Sequence, residues 1–433
     1  MKFEPYHEYK DSGVKWVDEI PKNWEAKKLK YIAHISTDKL NKKPDNLPYV
    51  GLEHIESWTG VLTDNQMDKV DSSVNLFHKG DILFGKLRPY LAKVVEAPFD
   101  GVCTTELVVF SVNGDVNNRF IFHQLLSHRF INIINALTYG VKMPRANPHQ
   151  IQNMVVCVPP IDEQRKISSF LDKKTSEIDL TIEKDTGLIE LLKEKRTALI
   201  NHVVTKGLDP TVKMKDSGVE WIGRIPDDWD VNRLKFLTAK KAQYGANEEP
   251  EYNENKFDYR YVRITDVNDN GGLKKDSYAY LSKENARGFV LEEGDVLFAR
   301  SGATVGKVYY YSQDDGNCCF AGYMIRYVTN NELLEPQFLL YYSLSKSYKE
   351  WIKVVSTQST IENVSAEKYD ELNIPTPKLS QQRQIVKFLD NEIPKIDEII
   401  LKIEEKISFL KEYKKSLIHH VVTGKVDVRE VAV

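Results

Sequence analysis

The sequence is poor in the features that sort a protein quickly. Cysteine is scarce, with four in 433 residues: Cys103, Cys157, Cys318 and Cys319. Two are adjacent and none forms a C-x-x-C pair, which argues against zinc ligation and leaves free, buried thiols as the expectation. No apolar run approaches the ~20 residues that cross a bilayer. The opening "MKFEPYHEYKDSG" lacks the apolar stretch of a secretory signal, so a cytoplasmic, soluble chain is expected. Positive charge is not in excess either: 60 Lys and Arg against 63 Asp and Glu give a net charge of −3. A nucleic-acid partner would therefore have to be met by local basic patches rather than by bulk attraction.

Catalytic signatures are missing as well. "SGATVGK" is one residue short of a phosphate-binding loop and has Val308 where that loop needs Ser or Thr. "NIPTP", Asn373 to Pro377, is not the Asn-Pro-Pro-aromatic tetrapeptide of amino-methyltransferases, and there is no glycine-rich fingerprint for S-adenosylmethionine. His202 and His420 recur at matching places, but no Cys or carboxylate cluster stands at ligand spacing, so they read as packing or partner-contact residues. The expectation is no catalytic residue and no metal site in this chain.

What is present is a repeat, and a repeat governs the fold. "DSGVKWVDEIPKNW" (Asp11 to Trp24) returns as "DSGVEWIGRIPDDW" (Asp216 to Trp229). The stretch from Glu163 to Thr205 aligns without gaps onto Gln381 to Thr423, sharing among others Gln164/Gln382, Phe170/Phe388, Asp172/Asp390 and Asp179/Asp397. Between these markers the copies differ far more, although "FHKGDILFGKLRPY" still aligns with "LEEGDVLFARSGAT". The chain is a tandem duplication of a variable head followed by a long segment. Its length suits two domains plus an addition.

The long segments have helical periodicity. Ile167, Leu171, Ile178, Ile182, Ile189, Leu192, Leu199 and Val203 form a narrow apolar seam in the first. Ile385, Leu389, Ile396, Ile400, Ile403, Ile407, Leu410, Leu417 and Val421 form that of the second. This is coiled-coil spacing, with Lys and Glu on the other faces. Asp162 and Ser380 stand where an N-cap is expected, after Pro159, Pro160 and Pro377, and Gly207 and Gly424 where the helices stop. Pro394 lies inside the second pattern and predicts a kink or a break.

A ~42-residue helix is about 60 Å long, and its seam needs a partner. The first helix ends where the second head begins, so the second helix must pair back along it. The expectation is an antiparallel coiled coil with a similar head at each end and an approximate two-fold axis. A bundle inside one domain, or a dimer zipper, remains the alternative. The heads are rich in short Val/Ile/Tyr/Phe strands with Gly-Asp and Asn-Gly turns, followed by helical stretches. The fold class is α+β. Domain limits are 1–161 and 207–378 for the heads, 162–206 and 379–424 for the helices, and 425–433 for a tail.

Polar, basic and aromatic loop clusters in the heads suit DNA. The first head offers Lys39, Lys42 and Lys43; Lys86, Arg88, Tyr90 and Lys93; and Tyr139, Lys142, Arg145, Asn147 and His149. The second offers Arg300, Ser301, Thr304 and Lys307, then Thr357, Gln358, Ser359 and Asn363. Arg with Asn or Gln suits guanine and adenine edges, while Lys, Ser and Thr suit phosphates.

The doubled "SGVxWxxxIPxxW" phrase, the Pro-Pro-x-x-Glu-Gln-Arg helix start and the "LI.HVVTxG" helix end together resemble the specificity (S) subunit of Type I restriction–modification systems. The resemblance covers essentially the whole chain; the second helix start departs from it, reading "PKLSQQRQ". It implies two target recognition domains reading the halves of a bipartite, asymmetric site in double-stranded DNA. It also implies helices that set the spacing and bind two methyltransferase (M) subunits, with restriction (R) subunits joining. S-adenosylmethionine, ATP and Mg would belong to those partners. A coiled-coil tether whose heads grip proteins, and a self-contained DNA modification enzyme, are the competing readings.

Overall fold

A computed structural model describes residues 4–14, 16–63, 71–252, 259–274, 279–302, 304–357 and 363–431. The chain divides into two compact units. Unit 1 is 1–186 with 404–433, and unit 2 is 187–403. Each unit holds one head and a segment of both long helices.

Unit 1 opens with the repeated phrase as a hairpin, Tyr9–Val14 against Asp18–Pro21. Asp11 accepts from the Gly13 amide, closing the turn. Strand Glu25–Lys28 then pairs antiparallel with Val155–Val158, the last strand before the first long helix. Between them lie two four-stranded sheets. One runs, in spatial order, Ala33–Ile35, Leu107–Val112, Ile82–Gly85, Val94–Glu96, and is antiparallel throughout. The other runs Lys39–Leu40, Val74–Phe77, Gly101–Thr104, Tyr49–Val50, its last pair parallel. Strand alternation explains how they pack: Ile82, Phe84, Val108 and Phe110 enter the larger core with the helices, while Leu83, Leu107 and Val109 enter a second core with Val50, Phe77 and Cys103. Helices α1 (Asn118–Leu126), α2 (His128–Ala136) and α3 (Pro148–Gln152) close the head. Asn117 and Asn147 cap α1 and α3 through their side-chain oxygens.

The first long helix, α4, runs Ile161–Lys206, 46 residues. Unit 2 then repeats the head: a hairpin of Met214–Asp216 with Arg224–Pro226, and strand Asp230–Arg233 against Asn373–Thr376. A sheet of Gln243–Tyr244, Met324–Tyr327, Val296–Ala299 and Val308–Tyr310 and a three-stranded sheet complete its strands. Helices α5 (Pro336–Leu344), α6 (Lys346–Thr357) and α7 (Ala366–Asp370) lead to the second long helix, α8, Leu379–Val422, 44 residues.

The helix pairing is antiparallel within each unit. In unit 1 Lys414 holds both oxygens of Asp179 at 2.7 Å and Lys406 lies 2.9 Å from Asp185, so position rises on one helix as it falls on the other. In unit 2 Arg196 donates to Asp397 at 3.0 Å, while Lys206 and Gly207 border the same hollow as Gln381 and Ile385. Every seam residue of the two helices is buried or half-buried. Phe170, Ile200, Ile393 and Ile418 are buried as well, because each helix also packs into a head core near its ends.

Three local expectations are corrected. α8 continues through Pro394 without a break, although the proline, itself exposed, removes one backbone hydrogen bond. Asp162 and Ser380 do not cap, because each helix starts earlier than expected: the carbonyls of Pro160 and Lys378 receive the first amides, and Asp162 lies inside the first turn. At α8 the Gln381 side chain reaches back to the Lys378 amide, half of a capping box. Gly207 and Gly424 end the helices in the left-handed region, φ +76° and +70°. Among the described residues, no helix is long and apolar enough to cross a membrane. All four cysteines are buried free thiols, pushed up to about 12 by burial.

Candidate nucleic-acid interface

The scaffold behind the candidate loops is nearly the same in both units. The IPxxW tryptophan packs on the glycine that ends a long helix: a Cβ on Gly424 would meet Pro21 at 2.3 Å and Trp24 at 3.3 Å, and one on Gly207 would meet Trp229 at 3.2 Å. Gln164 accepts from the Asn117 amide ahead of α1 and donates to the Pro159 carbonyl. Gln382 does the same with the Glu335 amide ahead of α5 and the Pro377 carbonyl. Asp172 accepts from Arg119 at 2.7 Å and pairs with His123 at 2.8 Å, whereas its twin Asp390 accepts from Tyr341 at 2.6 Å. Burial holds His123 below the usual histidine range.

The helix-start motif turns out to act inside the chain. Glu163 is buried and accepts from Tyr6 at 2.6 Å, Trp24 at 2.9 Å and Asn23 at 3.1 Å, tying the opening phrase to α4. Its counterpart Gln381 donates to Asp228.

On this scaffold two of the first head's clusters converge. The Ala146 amide donates to the Lys86 carbonyl at 2.8 Å, and the Arg88 amide to the Pro144 carbonyl at 2.7 Å. Tyr139 and Arg145 exchange both backbone hydrogen bonds, making a small hairpin whose apex carries the exposed Val141, Lys142 and Met143. Tyr90 and Tyr139 are exposed beside it. Arg88 and Ala92 hold positive φ, 49° and 45°, a strained arrangement for residues with a Cβ. Lys39 lies on the other sheet's edge strand, and Lys42 and Lys43 follow it, Lys42 pairing with Asp71 at 3.2 Å.

The second head's clusters meet in the same way. The Val364 amide donates to the Arg300 carbonyl at 2.8 Å, and Ser301 bridges Asn363. Arg300 lies 4.9 Å over the Tyr244 ring and its Nε donates to Asn363. Thr304 is half-buried in the following turn, and Thr357 closes α6. Gln358 and Ser359 lie outside the described residues.

Several candidates are already engaged. The Lys93 ammonium donates to the Leu52 and Ile55 carbonyls at 2.7 and 2.8 Å, so this side chain staples a loop rather than awaiting a phosphate. Its counterpart Lys307 pairs with Asp269 at 2.7 Å. Arg145 pairs with Glu106, which holds its guanidinium above the usual range. Asn147 uses its side-chain oxygen to cap α3. Glu106 and Tyr244, which orient the two arginines, were not foreseen, since neither lies in a basic loop. The surface therefore consists of pre-positioned arginine, lysine and amide groups on backbone pinned from two sides, which suits recognition of a polyanion with patterned base edges.

A family model described as Type I restriction modification DNA specificity domain matches residues 21–190 and 226–408. The Type I restriction enzyme EcoDI specificity subunit of Escherichia coli is 32% identical over 153 residues, a match spanning 34% of each chain. The Type I restriction enzyme MjaVIII specificity subunit of Methanocaldococcus jannaschii is 22% identical over 442 residues, 98% of both chains. Among solved structures, one described as the basis of complex assembly and conformational transition of the type I R-M system superposes with TM-score 0.75 at 18% identity, covering 94% of this chain and 99% of that one. The HsdS subunit from Thermoanaerobacter tengcongensis gives TM-score 0.53 at 19% identity, covering 94% and 98%.

Proposed function

The chain belongs to the Type I restriction modification DNA specificity domain family, and from that premise we propose that each of its two units reads one half of a bipartite, asymmetric site in double-stranded DNA. It is the DNA sequence-recognition subunit of a Type I restriction–modification system, and catalysis lies in partner subunits. The single observation that carries the two-half reading is that the family match occurs twice, on units with equivalent frameworks and different loop surfaces. A scaffold kept twice with its outward loops changed suits two readers of unlike sequences. A protein-gripping tether and a self-contained modification enzyme are not favoured by the match.

In unit 1 the reading surface is the Lys86–Tyr90 loop with the Tyr139–Arg145 hairpin, and in unit 2 it is Arg300 and Ser301 with Asn363. The long helices are assigned the assembly of partners, two methyltransferase subunits with restriction subunits joining them. Leu180, Phe409 and Tyr413 in unit 1, and Leu188, Leu191, Ile399 and Leu401 in unit 2, are exposed apolar side chains on those helices and support that assignment. The methyl donor, ATP and Mg are assigned to the partners.

Sequencing methylated bases in the source cell with and without this gene tests the reading. The expected result is one split motif that disappears with the gene. Purified chain mixed with DNA and S-adenosylmethionine is expected to transfer no methyl group, and measurable transfer would overturn the division of labour.

A further inference from the structure

The residues that follow the IPxxW phrase recur in a way the reading surface does not explain. "LKY" (Leu29–Tyr31) and "LKF" (Leu234–Phe236) each form a single 3₁₀ turn, preceded by Lys28 and Arg233 in nearly the same extended conformation. Leu29 and Leu234 are fully buried, and their amides donate to the Met154 and Leu372 carbonyls at 2.8 and 2.9 Å. The third residue is turned to solvent in both copies: Tyr31 is 65% exposed and Phe236 63%. Lys30 lies 5.4 Å over the first ring and Lys235 5.1 Å over the second.

One exposed aromatic is ordinary on a protein surface. Two at the same place, with the same lysine over each ring, in heads whose outward loops have diverged, answer to something the heads have in common. Reading bases is not common to them, because two halves of an asymmetric site differ. Holding phosphates is, and the two lysines suit it, but it leaves the exposed rings unexplained: a phenyl ring has no donor for a phosphate oxygen, and Phe236 is the ring in unit 2. An aromatic face with a cation beside it gains most by burial against protein, where aromatic residues are enriched.

We propose that this lysine–aromatic turn, once per unit, docks a partner protein present in two copies, the methyltransferase subunit. The proposal rests on the preceding functional reading and adds to it a contact on the heads, beside the strand pairs Glu25–Lys28 with Val155–Val158 and Asp230–Arg233 with Asn373–Thr376. Lys30 and Lys235 place an ammonium beside each ring. Lys235 also pairs with Glu371, so the cation in unit 2 is the more firmly placed.

The test uses the full chain with its methyltransferase partner, counting bound copies by native mass spectrometry across a dilution series. Tyr31→Ala and Phe236→Ala should each weaken one of two copies on the order of tenfold or more, and the double variant both. Tyr31→Phe should retain both copies, since Phe236 shows that a phenyl ring suffices. Unchanged melting of the free chain checks that the fold is intact. A double variant that keeps two copies at wild-type affinity overturns the proposal. So does a double variant that keeps both copies but binds DNA more weakly, which would assign the turn to DNA. A wild-type chain that captures no methyltransferase subunit sinks the parent reading along with it.

Discussion

Units 1 and 2 share their supports and differ in what those supports present. Gln164 and Gln382 make equivalent bonds, Asp172 and Asp390 each anchor a head helix, and Asp179 and Asp397 each take a cation from the opposing long helix. Against that, α1 is anchored by an arginine and a histidine and α5 by a tyrosine, a glutamate-centred knot in unit 1 becomes a glutamine in unit 2, and a basic hairpin gives way to a tyrosine-backed arginine. Duplication kept the glutamines and aspartates that tie the long helices to the heads and to each other, while their buried partners and the outward loops changed.

The comparison breaks most visibly at the tryptophans. Trp24→Ala should cost about 3–5 kcal/mol for the lost ring, and Trp229→Ala a comparable amount. Trp24 also donates to the buried Glu163 at 2.9 Å, so its loss should exceed that of Trp229 by about 1–2 kcal/mol. Hydrogen exchange resolved by unit, along a denaturant series of the full chain, measures both. Equal losses would mean that the Glu163 knot adds nothing to unit 1.

The helix-ending glycines should separate next. Gly424→Ala combines a left-handed backbone with a 2.3 Å approach to Pro21, and about 2–4 kcal/mol is expected. Gly207→Ala meets Trp229 only at 3.2 Å, and about 1–2 kcal/mol is expected. Reversal of that order in thermal unfolding would contradict the packing described.

Acid should loosen unit 1 first. Burial, aided by the neighbouring His420 and Arg129, pushes His419 down to about 4 from its ordinary 6.5, and burial also lowers His123. Both are neutral in the fold, so as pH falls the unfolded state takes up protons before the folded one, and stability drops between about 6.5 and 4. Asn201 and Tyr341 occupy the equivalent places in unit 2 and bring no such loss. His419→Asn should flatten the acid response of unit 1, and exchange rates at pH 7 and pH 5 measure it.

The smallest effect concerns the lysines. Lys86→Ala should flatten the salt dependence of DNA binding by about 0.9 in log–log slope if it neutralises one phosphate. Lys307→Ala should do so less, since Lys307 is held by Asp269, and a steeper change for Lys307 would reverse the assignment.

Much of the frame was legible in the sequence because repeats and apolar periodicity report burial directly. The seams, the antiparallel pairing and the glycine stops follow from spacing and connectivity alone. Pro394 does not break α8, because the buried Ile393 and Ile396 on either side of it hold the helix against local propensity. The caps at Asp162 and Ser380 misled because a proline or lysine carbonyl can take the first amides as well as a capping side chain does. The surface was half legible: composition found the basic loops, yet composition does not tell a lysine that waits for a ligand from one that, like Lys93, is bound to carbonyls. The exposed rings of Tyr31 and Phe236 carried a signal in their repetition, hidden because an aromatic after a leucine reads as core.

The central claim, that each unit reads its own half of the site, is tested most directly by exchange. Replacing the Lys86–Tyr90 and Tyr139–Arg145 loops with those of a family member of different specificity, followed by sequencing of methylated DNA from cells carrying the exchanged chain, isolates unit 1. The predicted result is a motif altered in one half, with the other half and the gap between them unchanged. A motif altered in both halves, or in neither, would contradict it.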